Sequence, residues 1–417
     1  MLKNTDKNGI QTVSLSAYQK LGLPTIDMVN AVDDSLGLVF QEDSAFLRGI
    51  MNTTSAETRA KTNGAVICAQ SADDTPNNPH NPMYGIYKAG ASGNLVSLIG
   101  TGTSNAGGYS VAPASMIDVS VKPTTIQSES DARGLVDTGK LATLLNGSSS
   151  SIVMDTIKRI SMLKTKKITE AQATRDFIDC AYKQSAEQVA KFTDSASLDP
   201  KLDINIKAIE NLSQTQADSS LSTFVLTNEN FLKTSAVMKL VIEGYAGAGT
   251  IELEGFDYHV SDRKTGEKRD YAAGQAMGAV LEYAAKKNKP VMLYVFTDGS
   301  ISSNGKVDPD PLGRGKCIWT SDKGETSSAF FLVYNPNGQP TLKNGTASQQ
   351  IGYFRPNGSV ETSATPASNN VTQLAQTIVL NYMALHNETG RFDKVIPDQG
   401  LGLPTDWDKL IAFEPIV

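Results

Sequence analysis

Two apolar runs in the 417-residue chain end in side chains that can do chemistry. IELEGF leads into Asp257-Tyr258-His259, and PVMLYVF leads into Thr297-Asp298. Residues two apart on an extended segment point to the same side. Asp257 and His259 can therefore reach one metal ion, because carboxylate oxygen and imidazole nitrogen are both ordinary ligands of zinc or manganese. Judged alone, Asp-x-His is a weak motif and the plainer roles are favoured: Asp257 can cap its loop, and His259 can bond a backbone carbonyl. Asp298 is placed for a metal or for acid–base work, although Asp-Gly-Ser is also a common turn. A third run, GAVICAQ, is followed by Asp73, Asp74, Thr75 and His80. If the three runs are neighbouring strands, their trailing groups gather on one rim. Thr75 and Thr297 are the hydroxyls that can serve as nucleophile there. Ser71 and Ser300 also sit near strand ends, but no Ser–His–Asp order is recognisable and G-x-S-x-G is absent. With three histidines in the chain, a two-metal centre would be mostly carboxylate. His386 falls late in a helical pattern, where it suits the helix dipole.

The elements that must position these groups alternate. Residues 65–70, 251–254, 291–296 and 329–334 read as short buried strands, and helical stretches separate them. In open α/β sheets, ligands gather beyond the carboxyl ends of the strands. The pattern predicts an α/β fold with a largely parallel central sheet and helices on both faces. The whole chain, 1–417, reads as a single domain with a helical insertion over 128–245. Residues 128–192 carry apolar side chains at three- and four-residue steps. The basic run KRISMLKTKK within them reads as a solvated helix face. The clearest helix is 369–390, with Val371, Leu374, Ala375, Ile378, Tyr382 and Leu385 on one face. Around it, EDSAFLRGIMNTTSAETRAKT reads as helical and closed by Asn63-Gly64, NLVSLIG and SVAPASM as short strands, and MYGIYKAG as a helix start. DPDPLGRGKCIW reads as a loop, and QQIGYFRPNGSVETSA as a hairpin turning at Pro356-Asn357-Gly358. The glycine-rich GTGTSNAGGY lacks the following Gly-Lys-Ser/Thr of a phosphate loop.

The totals exclude several classes. A net charge of −6 argues against nucleic acid as the main partner. No apolar run approaches the ~20 residues of a membrane span. MLKNTDKNGIQTVSLS contains no apolar export segment, so a cytoplasmic location is expected. The three cysteines are scattered and make neither a disulfide framework nor a metal knuckle.

The order of motifs resembles an uncharacterised sulfatase-like family of the alkaline phosphatase superfamily, usually exported by the twin-arginine route. That family has a strand, a loop ending Arg-Ser-His-Phe, and a helix; GAVICAQSADDTPNNPHNPMYGI has that shape, with His80 on the family histidine. Phe256-Asp257-Tyr258-His259 stands for its Trp-Asp-Thr-His, and Phe296-Thr297-Asp298-Gly299-Ser300 for its Glu-Phe-Gly-Arg strand end. Gly313-Arg314-Gly315-Lys316 stands for its Gly-Arg-Asp-His. The resemblance implies a phosphatase-like fold and a metal set of Asp257, His259, Asp298, Asp74 and His80. It also breaks. Pro79 replaces the serine before the histidine, and Gly315-Lys316 replace Asp-His. A lysine repels a cation but can hold an anion, so Arg314 and Lys316 are expected to bind anions. The expected function is a non-catalytic binding or self-assembling structural protein, a pseudoenzyme without cofactor whose partner is itself. The alternative is a working zinc- or manganese-dependent phosphate- or sulfate-ester hydrolase.

Overall fold

A computed structural model describes residues 4–6, 9–11, 14–71, 78–136, 156, 159–160, 163–164, 195–218, 220–221, 224–225, 227–259, 261–297, 299–322 and 328–417. Nine strands and six helices carry the argument. The strands are β1 (Thr62–Cys68), β2 (Val96–Gly100), β3 (Thr124–Thr125), β4 (Ala246–Thr250), β5 (Val291–Val295), β6 (Ile301–Val307), β7 (Cys317–Asp322), β8 (Ser328–Tyr334) and β9 (Gln350–Ile351). The helices are α1 (Ala45–Thr53), α2 (Met83–Lys88), α3 (Ile204–Thr215), α4 (Glu229–Ile242), α5 (Lys264–Lys286) and α6 (Val371–Leu385).

The central sheet has the order β9-β1-β8-β5. Every residue of β1 is buried, as its β-branched and small side chains predict. Alternation along the strands divides the core. Ala65, Ile67, Phe331 and Val333 face α6 and α2, where they meet Ile378, Val379, Met83 and Tyr84. Val66, Cys68, Leu332 and Tyr334 face α5, α1 and α3, where they meet Val280, Ile50 and Ile209. Helices therefore cover both faces, as expected. Removing Phe331 from water alone contributes about 2–3 kcal/mol.

Strand direction differs from expectation. β8 runs antiparallel to both β1 and β5, so this sheet is mixed. A fully buried strand shows the same apolar run in either direction, and direction is therefore not written in it. β9 pairs parallel with β1 at the edge of this sheet, and a wholly parallel sheet is found only in the second, three-stranded one among the described residues, β3-β2-β4. Its strand β4 is Ala246–Thr250, not the expected 251–254. The glycines of AGAGT argue against a strand by propensity, yet they are needed here. A Cβ on Gly247 would lie 2.2 Å from the Ala91 carbonyl oxygen, and one on Gly249 would lie 2.6 Å from Val237.

α5 crosses α1 at backbone distance. A Cβ added at Gly274 would lie 1.9 Å from Phe46 O, and one at Gly278 would lie 2.2 Å from Thr53 Oγ1. The two helices also share Gln275 Nε2 donating to Asn52 Oδ1 (2.7 Å) and Thr53 Oγ1 donating to Gln275 O (3.2 Å). On its other side α5 is tied to α3 and α4 by buried charge. Lys239 Nζ lies 2.7 Å from Asp203 Oδ2, and Tyr283 Oη donates to Glu243 Oε1 at 2.6 Å. Of the expected helical stretch 128–192, a helix at Glu129–Gly134 is described, while 137–155 and 165–192 lie outside the described residues.

Candidate functional site

The segment 78–82 sits where three strand ends meet. From the end of β1, Ser71 Oγ lies 3.3 Å from His80 Nε2, and Asn78 Nδ2 donates to Ser71 Oγ at 2.9 Å. From the end of β5, Phe296 stacks on the His80 ring, with centroids 6.4 Å apart and planes 19° from parallel. From the end of β4, Thr250 Oγ1 accepts from Asn81 Nδ2 at 3.0 Å. The same amide donates to Ala106 O (2.9 Å), and Asn81 N donates to Val111 O (3.1 Å), which ties the segment to the glycine-rich loop after β2. Asn81 Oδ1 accepts from Met83 N and so caps the start of α2.

His80 is 3 % exposed, and burial pushes its imidazole down to about 4. The ring is therefore neutral near pH 7. Its Nδ1 has no hydrogen-bond partner among the described residues. A neutral imidazole beside a serine hydroxyl can accept that proton, but Ser71 is itself 4 % exposed. Asp73, Asp74 and Thr75, which follow in the chain, lie outside the described residues, as does Asp298. Thr297 Oγ1 donates to Gly299 O at 2.5 Å, inside its own turn.

Asp257 and His259 are brought together, but with β7. His259 Nδ1 lies 2.7 Å from Asp257 Oδ1 and 3.1 Å from Asp322 Oδ1, on the surface. No hydrogen bond, ion pair or ring contact among the described residues links this pair to His80. Nor do the described residues hold any group of three or more His, Cys, Asp or Glu side chains arranged to take a metal. Between Asp257 and His259, Tyr258 turns inward and its Oη donates to Asp270 Oδ1 at 2.7 Å.

Arg314 and Lys316 already hold carboxylates of the protein. Arg314 Nε donates to Asp43 Oδ2 at 3.0 Å, and its Nη2 pairs with the other oxygen. Lys316 is 1 % exposed; its Nζ donates to Glu267 Oε2 at 2.7 Å and to Asp43 O at 2.6 Å. Burial lowers the Lys316 pKa, while Glu267 and Asp43 raise it. Arg263 donates to the other Glu267 oxygen at 2.8 Å and lies over the Trp319 ring, 4.2 Å from its centroid. Asp270, at the edge of the cluster, is pushed up to about 6 by burial, against the pull of Tyr258, Arg263 and Lys316.

No family model, curated protein or solved structure matches this chain. Sequence reading missed Asn81, the side chain that joins the end of β4 to the glycine-rich loop. The available signal was Asn81-Pro82 immediately before an apolar helical stretch, a helix-start pattern. It also missed the cluster around Glu267. Its members come from segments near 43, 267 and 314, and no local spacing joins them.

Proposed function

We propose that this chain is a binding or self-assembling structural protein on a phosphatase/sulfatase-like α/β scaffold, and that it works without ester hydrolysis. The observation that carries this reading is the pairing of Lys316 with Glu267, both 1 % exposed. In the sulfatase-like pattern, Gly315-Lys316 occupy the place of Asp-His. Here the lysine's charge closes an internal ion pair that joins the loop before β7 to α5. A buried pair of this kind holds its elements in one arrangement, and breaking it leaves buried Glu267 short of one of its cations. The His80 ring, sealed against Phe296, supports the same reading: it joins strand ends rather than facing solvent.

The test combines metal analysis with aryl phosphate and aryl sulfate assays on the purified protein. Neither stoichiometric zinc or manganese nor turnover is expected, and sizing at rising concentration should show association. Stoichiometric metal with turnover that Asp257→Ala abolishes would overturn the proposal. The Ser71–His80 contact favours a second reading, hydrolysis with a serine nucleophile and a histidine base. Turnover lost in Ser71→Ala and in His80→Gln, but kept in Asp257→Ala, would establish that reading instead.

A further inference from the structure

We draw no further inference here: the strongest candidate, the cavity of about 140 Å³ between Thr389, Asp393, Trp407 and Asp408, is a shallow hollow whose Asp408 already holds Lys343 and whose Trp407 Nε1, though unpartnered among the described residues, is buried out of reach of solvent, and nothing in the structure shows what fills it.

Discussion

Gly274→Ala sets two opposing effects against each other. Replacing glycine by alanine inside a helix ordinarily stabilises by about 1 kcal/mol. At Gly274 the new Cβ would lie 1.9 Å from Phe46 O, 2.8 Å from Phe46 C and 3.0 Å from Gly49 Cα. Ordinary contact begins at 3.4 Å, so the oxygen contact must open by 1.5 Å. All three atoms are backbone, and no side-chain rotation relieves the overlap. Overpacking of this kind costs about 1–3 kcal/mol. Separating the helices also stretches the Thr53–Gln275 and Asn52–Gln275 hydrogen bonds, each contributing about 1 kcal/mol. The net expectation is a loss of about 2 kcal/mol. Gly134→Ala is the control, because no atom of the described residues lies within 4 Å of a Cβ there. It should change stability by less than about 0.5 kcal/mol, in the stabilising direction. Urea unfolding reads both through the midpoint, provided the slope is unchanged. A Gly274→Ala midpoint at or above that of the parent would refute the backbone-to-backbone crossing.

The remaining expectations concern charge. Lys316→Met removes one cation of buried Glu267 and leaves Arg263 in place, so it should cost about 1.5–3 kcal/mol in the same urea assay; adding Glu267→Gln should recover part of that loss. His259→Ala removes an exposed pair and should cost under about 1 kcal/mol, within the scatter of surface substitutions. Two groups should tilt stability in opposite directions between pH 4 and pH 6.5. Asp270 is held above the ordinary carboxylate range, so the folded state binds the extra proton and this contribution falls as pH rises through about 6. His80 is held below the ordinary imidazole range, so its contribution is full above about 6.5 and falls as pH drops toward about 4. Melting curves across this window should therefore gain a rising slope with pH in Asp270→Asn and a falling slope in His80→Gln. Parallel curves for the two variants would contradict both assignments.

Much of the scaffold was legible because burial writes a strong local pattern. GAVIC and AFFLVY became β1 and β8, the core strands, and VMLYV became β5. The stripe through Leu374, Ala375, Ile378 and Leu385 is buried along α6 as its spacing requires. NLVSLIG holds β2, MYGIYK is α2, and Pro356-Asn357-Gly358 turns a short hairpin closed by Phe354 and Val360. Other readings failed where tertiary contact overrides local signal. Asn63-Gly64, read as a helix end, lies inside β1, where Gly64 makes room for Leu332. SVAPASM forms no strand, and the last three residues of the expected 308–319 loop enter β7. The site was legible only in outline. Strand ends do converge on His80, but Asp257 and His259 follow β4 by seven residues or more and settle beside Asp322. Arg314 and Lys316 showed their charge in the sequence, whereas their partners Asp43 and Glu267 are set by the fold.

The middle strand of the central sheet is also the last of its three long strands to be made. β1 and β5 run parallel with β8 between them, so neither satisfies the other's backbone groups. On the ribosome both are translated before residues 328–334 exist, and at about 5–20 residues per second several seconds separate the end of β5 from the end of β8. Throughout that interval the nascent chain carries two bare, apolar strand edges of the kind that templates aggregation. A chain released after residue 327 should accordingly be insoluble or chaperone-bound, whereas one extended past Tyr334 gains the strand that closes both edges at once.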